Sequence, residues 1–411
     1  VVRFIHTSDW QLGMTRHYLD ADAQARFTGD RIRTVRSILE LARRRECAFV
    51  VVAGDVFEHP NLGRQDIGRA LEAMGSQDIP VYLLPGNHDP LGTGSLWSSP
   101  AVADRLPTNV TVLDRTGIWP VSDGVELVAA PWHSKRPDAD PVAGCLDGLR
   151  PHDTVRIVVG HGMLEELEPD KTSPVRIRRQ PLDAALADGT IHYVALGDRH
   201  IRWPQDSPGA IQYSGTHEST SFRETGRGQV LEVDLDPGTT PSVTAHEVGQ
   251  WQHVVVRREL NGVQDLDSLA RDLDAMDPKE NTIVRTAFTG SLTVSEHARL
   301  DQLLDDRTPL FASLQPWLRH THLAVVPDDD ELAQIQWGGY IQAALEELKT
   351  RAEVSGHEAH TNTTRDSDPD LWADEVPAED DLPPEPTPPE GHQSAQDALR
   401  LLIRFAGGVK S

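Results

Sequence analysis

The stretch Ala48-Phe49-Val50-Val51-Val52-Ala53-Gly54-Asp55 constrains what this chain can fold into more than any other. An apolar run without alternation reads as a strand buried on both faces, and the glycine after it lets the backbone turn sharply where the strand stops. Asp55 is therefore expected at the C-terminal edge of a core strand. In open α/β sheets that edge is where ligands bind, because loops there converge above a rigid layer.

The device recurs along the chain. Phe4-Ile5-His6-Thr7-Ser8-Asp9 is a short strand ending in a carboxylate, and Val81-Tyr82-Leu83-Leu84-Pro85-Gly86-Asn87-His88-Asp89 ends in an amide, an imidazole and a carboxylate. Val155 to Gly160-His161 and Tyr193 to Gly197-Asp198-Arg199-His200 each end in glycine followed by metal-ligand side chains. One Gly-Asp after a strand is commonplace in turns. Five strands that deliver Asp, Asn and His to one rim, in order, are not.

Helical spacing over 31–43 and 64–74 separates the first three strands, and the order β, α, β, α, β predicts a parallel sheet with helices on its faces. Further strands are expected at 110–113 and 125–130, a short helical piece at 183–186, and a hairpin-like pair from 211–216 and 228–235 closing the layer. The turn Asp236-Pro237-Gly238 suggests that a first domain occupies 1–240. Residues 245–330 read as a smaller α+β capping or accessory domain, with strands at 253–256, 282–288 and 323–326 and helices at 263–276 and 295–304, the latter N-capped by Ser295. A helix is expected over 331–354, a disordered acidic, proline-rich linker over 355–391, and an amphipathic C-terminal helix over 392–408. The fold class expected is thus α/β: central β-sheets flanked by helices, a smaller α+β domain and a C-terminal helical tail. The apolar face of the last helix suggests docking onto a partner or back onto the body.

The formal charge of −25 argues against a general nucleic-acid coat protein. Against that background Lys171 to Arg179 is a basic loop without an acid, in which Arg176, Arg178 and Arg179 are candidate substrate contacts, with Arg202 and Arg223 further along. Two cysteines, Cys47 and Cys145, make a disulfide scaffold improbable and suit a reducing interior. No apolar run approaches the ~20 residues needed to span a bilayer, and the N-terminus enters a strand without a signal-peptide pattern. A cytoplasmic protein is expected.

The ordered set Asp9-x-Gln11, Gly54-Asp55, Gly86-Asn87-His88-Asp89, Gly160-His161 and Gly197-Asp198-Arg199-His200 resembles the calcineurin-like metallophosphoesterases, whose motifs are D-x-H, G-D, G-N-H-[DE], a lone His and G-H-x-H. Within that superfamily His6-Thr7-Ser8-Asp9-Trp10-Gln11-Leu12-Gly13, Val52-Ala53-Gly54-Asp55-Val56-Phe57, Tyr193 to Gly197 and Tyr213-Ser214-Gly215 look like the SbcD-type nuclease subunits of DNA-break processing complexes.

The resemblance implies two divalent cations, most naturally Mn²⁺ with Mg²⁺ or Fe as alternatives. One would be held by Asp9, Gln11, Asp55 and His200, the other by Asp55, Asn87, His161 and Asp198, with Asp55 bridging. It implies that His88 faces the scissile phosphate and that Asp89 orients its ring. It also implies DNA as substrate, a coiled-coil ABC-type ATPase of the SbcC/Rad kind as partner, and a homodimer. Gln11 and Asp198 depart from the family pattern, each standing where it has His. Donor count survives and the set becomes richer in oxygen, which favours Mn²⁺ or Mg²⁺ over softer ions. Three readings follow: a DNA exonuclease or endonuclease subunit, a phosphatase or phosphodiesterase for small molecules or phosphoproteins, and a structural subunit with a degenerate metal site.

Overall fold

A computed structural model describes residues 1–325 except 206–208 and 237. The helix, linker and tail expected beyond 325 lie outside the described residues. Two compact units are present, Val1–His253 and the part from Val254 onward.

The first unit runs β1 (Val2–Thr7), α1 (Ala21–Arg44), β2 (Phe49–Val52), α2 (Arg64–Met74), β3 (Val81–Leu83), α3 (Pro100–Ala103), β4 (Val110–Val112), β5 (Gly117–Ser122), β6 (Val125–Ala130), α4 (Pro141–Leu146), β7 (Val155–His161), α5 (Arg179–Ala187), β8 (Tyr193–Gly197), β9 (Ile211–Tyr213), β10 (Gln229–Leu235) and β11 (Ser242–Glu247). These strands form two sheets, ordered β11-β10-β1-β2-β3-β4 and β5-β6-β7-β8-β9. β1, β2, β3 and β4 run parallel, as do β6, β7, β8 and β9.

Side-chain alternation fixes which face of each strand meets what. Phe4, Phe49, Val51 and Tyr82 of the first sheet share one core with Ile157, Val159, Tyr193 and Ala195 of the second. The intervening residues Ile5, Val50, Val52 and Leu83 pack instead with Ile38 and Leu39 of α1 and Leu71 of α2. On the far side, Val158, Val194 and Leu196 pack with Val142 of α4 and Leu182 of α5. Central strands are therefore buried on both faces, which is why they read as unbroken apolar runs. Each such large side chain removed from water contributes about 1.5–3 kcal/mol before chain entropy is counted.

Three expectations need correction. Residues 211–216 and 228–235 are not a hairpin: β9 pairs with β8 in the second sheet, whereas β10 pairs antiparallel with β1 in the first. The first sheet also continues past the 236–238 turn, because β11 adds to β10. α1 begins ten residues before the periodic stretch, capped by Asp20, whose Oδ1 accepts from the Ala23 N–H at 2.7 Å.

The second unit contains β12 (Gln252–Leu260), which begins just before the division, α6 (Val263–Ala275), β13 (Thr282–Leu292), α7 (Val294–Arg307), β14 (Ser313–Pro316) and β15 (His322–Val325). β13 is central, with β12, β14 and β15 all pairing to it. Leu266, Leu269 and Leu273 of α6 and Leu300 and Leu303 of α7 close its core against Val284 and Phe288. The α7 cap is Thr293 rather than Ser295: its hydroxyl accepts from the Glu296 N–H while the Glu296 carboxylate reaches back to the Thr293 N–H, a capping box.

Candidate active site

The strand ends converge because parallel β1 and β2 stop together. Beyond their last pairs, the Asp9 N–H donates to the Gly54 carbonyl at 3.1 Å and the Gln11 N–H to the Asp55 carbonyl at 2.8 Å. The two loops are thus zipped to each other. Asp9 (φ 52°), Gln11 (φ 41°), Asp55 (φ 52°) and Asp198 (φ 88°) all have left-handed backbone. Among the described residues Glu46 is the one further non-glycine with positive φ. Such a conformation costs roughly 1–2 kcal/mol per residue, and its concentration at candidate ligands marks a site whose geometry is imposed by its surroundings.

Close approach is built from glycine. At Gly54 (φ +95°) a Cβ would lie 2.0 Å from Nδ1 of His161, and at Gly86 it would lie 2.2 Å from Oδ1 of Asp55. The motif glycines therefore do more than turn the chain: they let Asp55 and His161 meet.

Asp9, Asp55 and His161 are buried, and each offers a ligand atom within 4.8 Å of the others. Nε2 of His161 is 3.4 Å from Asp55 Oδ2 and 3.6 Å from Asp198 Oδ1. Asn87 Oδ1 is 2.7 Å from the same Nε2. Nε2 of His200 lies 3.8 Å from Asp9 Oδ1 and 3.3 Å from the Gln11 amide nitrogen. All seven residues expected as ligands are thus brought to one place.

The electrostatics of the cluster ask for positive charge. Burial pushes Asp9 up, and it pushes Asp198 up to about 6. For His161 burial opposes the charged ring, but Asp55, Asp198 and Asp9 overcome it and raise its proton affinity well above the ordinary value. Asp55 resists protonation: burial works against its charge, yet His161 and the His88 backbone N–H hold it at about 2.

A divalent cation fits this donor set. His161 is close to the Ala53 carbonyl through Nδ1 at 2.9 Å, so that nitrogen donates and Nε2 faces the acidic cluster. Gln11 Oε1 is buried without a hydrogen-bond partner among the described residues, and an unpartnered buried carbonyl costs about 1–3 kcal/mol. The Asn87 amide edge facing His161 is also 3.1 and 3.0 Å from the two Asp55 oxygens. With nitrogen there it can donate to the Asp55 oxygens and to a neutral His161 ring, and with oxygen there a proton on Nε2 or a cation separates the acceptors.

The sequence model of the calcineurin-like phosphoesterase family matches residues 2–208, half of the chain. The chain belongs to that family. It is 27% identical over 311 residues to the SbcD subunit of the SbcCD nuclease from Escherichia coli strain K12, covering 66% of this chain and 74% of the relative, and matches its O157:H7 counterpart equally. Among solved structures, TT1561 of Thermus thermophilus aligns over 60% of this chain and 99% of its own, at 10% identity and a TM-score of 0.37.

Within this phosphoesterase rim His88 is partly exposed, and its Nδ1 meets the Glu58 carbonyl at 2.8 Å. The ring is held by Glu58 and not by Asp89, which corrects the expectation from the motif. Asp89 instead accepts from the Gly86 and Phe57 N–H groups at 2.8 and 3.0 Å, tying two rim loops together. Burial and the Asp55 charge push Asp89 up to about 7.

Of the arginines, Arg179 opens α5 and is engaged by Glu166 at 2.7 Å and Asp183 at 3.3 Å, so its charge is already matched. Arg202 lines a cavity that also contains His200. Arg223 is exposed beside Glu224. Arg176 and Arg178 stay on the 171–179 segment, where Ile177 is buried. His217, which follows Tyr213-Ser214-Gly215 in the sequence, is fully buried with Nε2 3.0 Å from the Arg31 carbonyl.

The sequence does not point to Glu224 or Thr220, which the fold brings to His200. Nδ1 of His200 is 2.8 Å from Thr220 Oγ1 and 3.2 Å from Glu224 Oε1, and the other Glu224 oxygen accepts from the Thr220 N–H at 2.6 Å. Burial opposes both charges, yet the pair holds Glu224 down at about 2 and His200 up at about 9. A carboxylate–histidine pairing of this kind fixes the orientation of the His200 ring. No strand-and-glycine signature precedes Glu224, so only three-dimensional proximity reveals it.

Proposed function

We propose that this chain is a two-metal phosphodiester hydrolase acting on DNA, with Asp9, Gln11, Asp55 and His200 holding one cation and Asp55, Asn87, His161 and Asp198 the other. The observation that carries the metal-dependent reading is the meeting of Asp9, Asp55 and His161 within 4.8 Å in a buried cluster. The DNA assignment is supported by similarity to the SbcD subunit of the SbcCD nuclease. That likeness also motivates a coiled-coil ATPase partner and a homodimer. The predominance of oxygen donors favours Mn²⁺ or Mg²⁺.

Bound at such a site, divalent cations lower the pKa of water toward neutrality and stabilise charge on phosphoryl oxygens. The chain's own contribution beyond holding them is His88. Its Nδ1 is pinned to the Glu58 carbonyl, so the proton it can pass to a leaving oxygen sits on Nε2, 3.9 Å from Asp55 Oδ2. Burial opposes the imidazolium, but Asp55 and Glu58 outweigh it and raise its pKa. A ring whose charged form is favoured in this way suits general-acid work and charge stabilisation.

The test compares Mn²⁺-dependent degradation of linear duplex DNA with hydrolysis of a small aryl phosphodiester. Degradation of DNA that His88→Ala abolishes while metal uptake persists is the expected result. Hydrolysis of the small ester alone would favour a small-molecule phosphodiesterase. Hydrolysis of neither, with metal bound below stoichiometry, would mark a degenerate site.

A further inference from the structure

We propose that the cavity beside His200 is a subsite for a backbone phosphate of the substrate strand next to the one being cut, a reading that rests on the proposed nuclease activity. The cavity shares His200 with the candidate metal cluster, and its walls carry Arg202, Gln205, Arg227 and Gln229. Anything seated there lies one side chain away from the reacting centre.

The chemistry of the lining selects the ligand. Among the described residues lining the cavity Glu224 is the one carboxylate, and its charge is engaged by His200 and Thr220. Two lining hydroxyls are also committed, Thr216 to the carbonyls of Asp9 and Glu218, and Ser219 to the His253 ring. The long side chains of Arg202, Gln205, Arg227 and Gln229 make the described wall cationic or amide in character. Nε of Arg202 is buried and has no hydrogen-bond partner among the described residues. A guanidinium N–H withdrawn from water without an acceptor is expensive, and a phosphate oxygen is the acceptor it fits best. In a chain of formal charge −25 such a donor-rich wall is local and specific.

Recognition of a base is disfavoured on the same grounds. No Phe, Tyr or Trp is among the described residues lining the cavity, so it offers no broad apolar ring for the stacking on which single-stranded base binding depends. A pocket that grips phosphate but does not stack bases positions the strand without reading its sequence.

The experiment uses the full chain with Mn²⁺, a short end-labelled oligonucleotide and bis(p-nitrophenyl) phosphate, comparing wild type, Arg202→Ala and Arg202→Lys. For Arg202→Ala, KM for the oligonucleotide is expected to rise about tenfold, the worth of one charge-assisted hydrogen bond. The loss on the aryl ester should be several times smaller. The dependence of oligonucleotide affinity on salt should flatten by about 0.7–1 in log–log slope, one phosphate contact fewer, equally for different sequences. Arg202→Lys, which keeps the charge, should recover part of the affinity. Equal losses on both substrates, or an unchanged salt slope, overturn the subsite. Failure of the wild type to cut or bind the oligonucleotide while it hydrolyses the ester overturns the nuclease reading, and the subsite with it.

Discussion

Nε2 of His161 and Oδ1 of Asn87 lie 2.7 Å apart, beside an Asp55 carboxylate that stays ionised down to about 2. Positive charge at that point comes from a proton or from a metal. His161 holds its proton well above the ordinary range, and His200 titrates at about 9. Near neutral pH both rings are protonated without metal, and both must lose the proton to become ligands. Isothermal calorimetry in buffers of different ionisation enthalpy should show about two protons released per chain on full Mn²⁺ loading. Release of none would mean that these rings do not bind the ions.

Stability of the metal-free protein should fall as pH rises. Asp198, at about 6, and the two histidines all have folded-state values above their ordinary ones. Groups raised in this way stabilise the fold below the unfolded value and lose that contribution as pH climbs through the folded value. For Asp198 the loss runs from about 4 to 6, and for His200 from about 6.5 to 9. With EDTA present, the melting temperature should be lower at pH 9 than at pH 5, and Mn²⁺ should reverse the trend. An EDTA profile that is flat or rises would count against a strained anionic cluster.

Gly54→Ala should unmake the site. At φ +95° an alanine costs about 1–2 kcal/mol, and its Cβ would press on the His161 ring at 2.0 Å. A melting temperature lower by several degrees, together with loss of metal uptake, is expected. Normal metal binding in this variant would show that His161 is not placed by Gly54.

Glu224→Gln should weaken the ion on the His200 side by about 10–100-fold, the usual effect of removing a ring-orienting carboxylate. The amide can still accept from Nδ1, so Glu224→Ala should be worse and Glu224→Asp milder. Metal titration followed by NMR of the His200 ring separates this role from a packing defect. An unperturbed ring and affinity would remove Glu224 from the site.

The central strands were legible because burial on both faces writes an unbroken apolar run. The rim residues were legible because each follows such a run. Pairing across distant segments was not: nothing local says that Ile211–Tyr213 joins β8 while Gln229–Leu235 joins β1. The α7 cap was legible in principle, since Thr293 stands three residues before Glu296 and Ser295 does not. The family resemblance sets Asp89 against the His88 ring, whereas its two oxygens turn to backbone N–H groups of the rim. Glu224 reaches His200 from a loop whose residues carry no apolar period.

Metal stoichiometry tests the central claim most directly. Mn²⁺ titrated into chelator-treated protein and counted by mass spectrometry of the bound metal should reach two ions per chain, and Asp55→Asn, which removes the shared carboxylate charge, should lower both occupancies. Fewer than one ion in the wild type, or two ions retained in Asp55→Asn, would contradict a pair of cations gathered around Asp55.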